Sequence, residues 1–191
     1  RRLPSGKTEC WYILEAEPGS VLGLGLIREI ASDELRSAVL DGSIEELVHW
    51  QSVEAGDFIY VPAGTIHAIG AGISLLEFQQ NADVTYRLYD YGRPRELHLD
   101  DGMAVATRRP FDPSLMRKVR ADEEIPLIER GHFGLVSATS DTFSDRMRWI
   151  MPILGQVRSG GELARAGDIL LAQPGDRVDY IDAWALTGIS L

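Results

Sequence analysis

Short runs in which apolar and polar residues alternate dominate the chain. They occur at 9-ECWYILEA-16, 57-DFIYVP-62, 73-ISLLEFQQ-80, 84-VTYRLYDY-91, 133-FGLVSAT-139, 149-WIMPILGQV-157 and 167-GDILLAQ-173. Each is rich in β-branched and aromatic residues and is punctuated by Gly, Pro, Asp or Asn, which predicts strands. One interval has a different period. In 30-IASDELRSAVLDGSIEELVHW-50, apolar side chains fall at Ile30, Leu35, Ala38 and Val39, then at Ile44, Leu47 and Val48, the spacing of a helix face. Ser32 and Ser43 are N-cap candidates, and Ser43 with Glu46 has capping-box spacing. Two short helices divided by Gly42 are expected, inserted into an all-β framework of the sandwich, jelly-roll or barrel kind.

The pattern also repeats. The stretch 53-VEAGDFIYVPAG-64 aligns with 164-ARAGDILLAQPG-175, and the tryptophan-led 11-WYILEAEPG-19 aligns with 149-WIMPILGQV-157. Two related β units are expected: residues 1–105, with the helical insertion at about 30–50, and residues 106–191. The join falls near 101-DGMAVATRRPFDPSLMRKV-119, where Pro110, Pro113 and basic residues interrupt the strands.

Composition narrows the function classes. The chain has 191 residues, 45% hydrophobic and 25% charged, and is expected to be globular. Its longest apolar runs fall far below the roughly 18 residues of a membrane span. A formal charge of -10 argues against nucleic acid or an anionic membrane as partner, since the long-range field repels polyanions. A small phosphorylated metabolite fits, because a local Lys/Arg cluster overrides net charge at short range. The lone Cys10 excludes an internal disulfide and a multi-Cys zinc site, and no signal-peptide pattern is present. A cytoplasmic location is expected. The opening Arg1-Arg2-Leu3-Pro4-Ser5-Gly6 lacks an initiator Met and runs straight into strand-like sequence, which suggests further chain upstream.

The candidate chemistry centres on 56-GDFIYVPAGTIHAIG-70. Gly56 allows a tight turn into a strand, Pro62 and Gly64 form a second turn, and the strand that follows carries His67. The spacing Gly56, Pro62, Gly64, His67 resembles the second sequence motif of the cupins, small jelly-roll barrels in which such a histidine binds a divalent metal. Ala71 stands where that motif usually has Asn. Alternation places Glu9, Trp11 and Ile13 on one strand face and Cys10, Tyr12 and Leu14 on the other. If the first face is inward, Glu9 reaches a metal beside His67, and a carboxylate there is costly without a cation. The second copy, 174-PGDRVDYI-181, has no histidine and is expected to be metal-free and structural.

At this point 6-GKTECWYIL-14, 56-GDFIYVPAGTIHAIGAG-72 and 76-LEFQQNADVTYRLYDYGRPRELHL-99 resemble the bacterial branch of the type I mannose-6-phosphate isomerases. These are zinc-dependent cupin enzymes that interconvert mannose 6-phosphate and fructose 6-phosphate. The resemblance covers residues 6 to about 100, and residues 110 to 191 match the family's C-terminal cupin domain in outline. It implies an all-β fold of two cupin units, the second degenerate, and one Zn2+ per chain. In the family zinc is held by a Gln and a His of a Gln-x-His segment, a Glu and a downstream His. The last two map to Glu9 and His67. The first two have no counterpart in these residues: either they lie upstream, or this is a shortened relative with half a site. The resemblance further implies Glu77 as general base, Arg87 as the active-site arginine for enediolate or phosphate, and Lys7 as a second cation. The alternatives from the residues alone are a Glu77–Arg87 ion pair and a solvated Lys7. A cupin that binds a sugar phosphate or other small ligand without catalysis is the competing function.

Other conspicuous residues have plainer readings. His49 is expected to end the helical insertion against the helix dipole, His98 to make a structural hydrogen bond, and His132 to sit in a turn. Trp149, Trp184, Tyr86, Tyr89 and Tyr91 read as core and sheet-face aromatics, and Cys10 as packing.

Overall fold

The computed structural model describes residues 6–191, so Arg1–Ser5 of the chain opening lie outside the described residues. Two compact units divide after Arg117. The division falls beyond residue 105 because the following stretch is bonded into the first unit: Thr107 N–H donates to Gly64 O, Ile30 N–H to Arg108 O and Leu26 N–H to Arg109 O.

The first unit carries β1 (Glu9–Ala16), β2 (Val21–Leu26), α1 (Ser32–Asp41), α2 (Ile44–Leu47), β3 (Val48–Ser52), β4 (Asp57–Val61), β5 (His67–Ile69), β6 (Ile73–Gln79) and α3 (Leu99–Val105), with β7 (Met116–Lys118) at its boundary. These strands form a four-stranded sheet, order β6-β1-β4-β7, and a three-stranded sheet, order β3-β2-β5. Trp11 and Ile13 of β1, Ile59 and Val61 of β4, and Leu22 and Leu24 of β2 pack between the sheets as one buried cluster. Burying each large apolar side chain stabilises the fold by about 1.5–3 kcal/mol. A second cluster joins Leu35, Ala38 and Val39 of α1 and Ile44 of α2 to Leu26, Val48 and Met103.

The helical insertion has the expected two helices. Asp33 and Glu34 lie in the first turn of α1, and Gly42 (φ 87°) closes it in the left-handed conformation, which glycine adopts without a Cβ penalty. Three details differ. Ala31, not Ser32, is the N-cap of α1. Ser43 caps α2 without a side-chain bond to its amides, because its Oγ donates to Asp41 Oδ1 at 2.7 Å instead. His49 lies in β3 rather than at a helix end.

The stretch 84–91 is not a strand. Tertiary contacts override its alternation: buried Asp90 pairs with both Arg93 and Arg95, and Leu88 packs where a Cβ on Gly102 of α3 would come within 2.7 Å. Arg87 therefore spends its backbone bonds on His98 rather than on a neighbouring strand.

The second unit is a sheet of β8 (Ile125–Ile128), β9 (Phe133–Ala138), β10 (Arg148–Ser159), β11 (Glu162–Arg165) and β13 (Asp179–Ser190), in the order β11-β10-β13-β9-β8, with β12 (Leu170–Ala172) paired to β10. The sequence repeat has a structural counterpart. Before β4, Asp57 N–H donates to Glu54 O and Asp57 Oδ2 accepts from Glu54 N–H. Before β12, Asp168 and Arg165 make the same two bonds. In each unit the tryptophan-led strand then pairs with the strand after this turn, Trp11 opposite Ile59 and Trp149 opposite Leu171. Arg148 is fully buried there, and its guanidinium grips Asp141 through Nε and Nη2, both at 2.9 Å. No helix among the described residues is long and apolar enough to cross a membrane.

Candidate functional site

The site is built in the first unit where the two sheets meet. The register of β1 with β6 sets Glu9 opposite Gln79 and Trp11 opposite Glu77, so these four side chains share one face. His67 comes from the other sheet, where β5 pairs with β2 and sets His67 opposite Leu24. The turn before β5 explains the glycine. Thr65 N–H donates to Pro62 O, Gly64 has φ +86°, and a Cβ there would meet Val105 O at 2.6 Å. Only glycine satisfies both demands.

Glu9 is 2% exposed, and its Oε1 stands 3.4 Å from His67 Nε2. His67 Nδ1 lies 2.9 Å from Thr65 O. A carbonyl only accepts, so Nδ1 carries a proton and Nε2 is the nitrogen turned to the carboxylate. Without a proton on Nε2, this is the tautomer that a metal-ligating imidazole needs, fixed by a backbone oxygen. Nε2 and Oε1 face each other, and either a proton on Nε2 or a metal cation between them reconciles the two atoms. The spacing suits zinc: N and O ligands at about 2.0–2.1 Å in tetrahedral array stand about 3.3–3.4 Å apart. Trp11 seals the floor, its ring edge-on to His67 at 5.3 Å.

The second carboxylate oxygen is engaged by a lysine. Glu9 Oε2 is buried, and the Lys7 ammonium lies 3.0 Å from it. That ion pair already compensates Oε2, so the fit to a metal rests on Oε1 and His67 Nε2. Glu9 and His67 thus fit zinc as two of its ligands. No group of three or more His, Cys, Asp or Glu side chains able to hold a metal occurs among the described residues, and a catalytic zinc ordinarily takes three protein ligands.

Lys7 ties the cluster together. Its Nζ donates to Gln79 Oε1 at 2.7 Å and lies 3.5 Å from Glu77 Oε1. Burial opposes its charge, but the contacts and charges of Glu9 and then Glu77 outweigh burial and hold its pKa above the ordinary lysine value. Lys7 is thus paired, not merely solvated, and Glu77, 32% exposed, meets Lys7. Arg87 lies elsewhere on the same cleft, its Nη1 donating to Glu96 O at 3.1 Å. The cleft has a volume of about 740 Å3 and is lined by Lys7, Thr65, His67, Tyr86, Arg87 and Arg93 among others, a size suited to a small ligand. Cys10 is buried on the other face of β1, and burial pushes its thiol pKa up, which makes it a packing residue. Gln79 and Thr65 complete the arrangement. The only sequence signal for Gln79 is its place two positions after Glu77, and Thr65 contributes through its backbone, which no side-chain reading identifies.

No family model matches the chain. It is 44% identical over 108 residues to the mannose-6-phosphate isomerase of Streptococcus mutans, a match covering 53% of this chain and 34% of that protein. Its fold is similar to the crystal structure of the mannose 6-phosphate isomerase from Bacillus subtilis, with a TM-score of 0.72 and 28% identity, covering 96% of this chain and 64% of that one. A zinc-bound mannose 6-phosphate isomerase shares the fold at a TM-score of 0.59 and 13% identity, over 98% of this chain and 67% of that one. The matched stretch thus spans about a third of the curated relative. By sequence over about half its length and by fold over nearly all of it, the chain is similar to the mannose-6-phosphate isomerases, with a cupin-type fold.

Proposed function

We propose that the chain supplies the metal-holding cupin unit of a cytoplasmic, zinc-dependent isomerase that interconverts mannose 6-phosphate and fructose 6-phosphate. One observation carries the reading: the buried Glu9 carboxylate and His67 Nε2 converge at 3.4 Å beside a cleft that also holds Lys7 and Arg87. Glu9 and His67 are two of the zinc ligands. When bound, zinc polarises the sugar oxygens as a Lewis acid.

The remaining steps belong to side chains. The reaction moves a proton between C1 and C2 through an enediol. Glu77 takes the proton from one carbon and returns it to the other, a role worth roughly 10²–10⁴ in rate. Lys7, held by Gln79, stands between the ligand Glu9 and the base Glu77 and offers a positive charge to oxygen as charge develops there. Arg87 presents forked donors, matched to phosphate or an enediolate, from the cleft wall. The second unit, from Lys118, has no histidine in the stretch that corresponds to the His67 motif and serves as a structural, metal-free cupin unit.

A coupled assay with mannose 6-phosphate, run on the protein as encoded with zinc added and after chelation, tests the proposal. Turnover that zinc restores is expected, and His67→Ala should weaken zinc binding by at least about 100-fold. Binding of mannose 6-phosphate without turnover by the zinc-loaded protein would replace the isomerase with a non-catalytic sugar-phosphate binder.

A further inference from the structure

Arg87 lies on a segment without regular secondary structure, and an arginine is useful to a reacting anion only if its base is held. Two reciprocal bonds hold it. Arg87 N–H donates to His98 Nδ1 at 3.2 Å, and His98 N–H donates to Arg87 O at 2.8 Å. Both backbone groups of Arg87 are thus satisfied by a single residue eleven positions on. The side chain is tied to the same segment through Nη1 and Glu96 O. His98 is itself fixed: its carbonyl accepts from Gly102 N–H in α3, its ring lies 6.1 Å from that of Tyr86, and Leu88 packs against Gly102.

We propose that His98 is a positioning residue for Arg87: through Nδ1 and its own amide it fixes the backbone from which the guanidinium enters the cleft. The ring nitrogen must be an acceptor here, because the group facing it is an N–H. His98 acts on the reaction through Arg87 alone and does not touch substrate. This inference rests on the role proposed for Arg87 above. The geometry also explains why a histidine serves where an alternating strand would have used ladder bonds. The clamp replaces a strand partner at one residue and leaves the flanking chain free to turn at Asp90.

Three variants separate the acceptor from mere bulk. His98→Asn keeps an acceptor near the Nδ1 position, His98→Gln moves it further out, and His98→Leu removes it. The first readout is deuterium exchange at the Arg87 amide, which needs no activity. His98→Leu and His98→Gln are expected to speed it by about tenfold, the worth of one hydrogen bond, and His98→Asn to leave it near the wild-type rate. The second is steady-state kinetics with mannose 6-phosphate on the zinc-loaded protein. There His98→Leu should lower kcat/KM by about 10- to 100-fold through misplacement of Arg87, with zinc affinity unchanged and with recovery in His98→Asn. Unchanged exchange at Arg87 in His98→Leu would overturn the clamp. Faster exchange with unchanged kcat/KM would reduce His98 to a structural residue and overturn the positioning role. If Arg87→Ala is itself fully active, the role of Arg87 in the reaction falls first, and the positioning role falls with it while exchange still decides the clamp.

Discussion

Replacing Arg148 by methionine should destabilise the second unit by about 3–5 kcal/mol, the cost of breaking a buried ion pair. The guanidinium is fully buried and makes five hydrogen bonds: Nε and Nη2 to Asp141, Nη1 to Arg146 O and Gln173 O, and Nη2 to Asp176 O. Methionine fills much of the stem volume but leaves three carbonyls and a carboxylate without their donors. Each orphaned group costs about 1–3 kcal/mol if it stays dry. Asp141 is 21% exposed and recovers some water, which keeps the total near the lower part of that sum. Against a domain stability of about 5–15 kcal/mol, the loss is large. With a urea slope of about 1.5 kcal/mol/M, the unfolding midpoint of this unit should fall by about 2–3 M, read by circular dichroism and by hydrogen exchange at β10 and β13 amides. Adding Asp141→Leu should recover part of the loss, because the unpaired carboxylate is then gone. A midpoint for Arg148→Met within about 0.5 M of wild type, with exchange in β10 unchanged, would refute the argument that this network holds the unit together.

Three further outcomes follow from the geometry. Glu77→Gln should cut kcat by about 10²–10⁴ with zinc affinity retained, and activity surviving it would remove Glu77 as the base. Gly64→Ala should cost about 1–3 kcal/mol in thermal unfolding, since φ +86° and the 2.6 Å approach of Val105 O both oppose a Cβ; a neutral result would mean that the turn relaxes. Arg95, beside Asp90, holds the Asp90 pKa below the usual carboxylate range despite the opposing effect of burial. A depressed folded pKa contributes stability above the unfolded value, lost as pH falls through the folded one. Asp90→Asn should therefore flatten the acid limb of the stability profile below about pH 4, and an unaltered limb would count against the assignment.

How much of this was legible in advance depended on whether a residue's neighbours in sequence were also its partners in space. The Gly56, Pro62 and Gly64 turns are local, so residue types alone announced them, and the Ala-Gly-Asp repeat marked the same turn in both units. Strand β13 escaped because residues 183–189 are buried on both faces, which erases the alternation that signals a half-exposed strand. Strand β2 escaped because Gly23 and Gly25 occupy it, each where a Cβ would collide with a neighbour. The reverse error occurred at 84–91, whose alternation is real but whose chain bends to bring Asp90 to two arginines.

The sequence by itself determined the β character, the paired units, the helical insertion and the identity of Glu9 and His67 as candidate ligands. The first three rest on turn chemistry, periodicity and residue type, which act within a few positions, and the candidate ligands rest also on resemblance to the cupin motif and the family that carries it. Only the tertiary structure decided that Glu9 Oε1 and His67 Nε2 stand 3.4 Å apart, that Lys7 bonds Gln79 and lies beside Glu77, and that His98 clamps Arg87. Those pairs come from different strands, sheets or loops, and their distances are set by register and packing rather than by spacing along the chain.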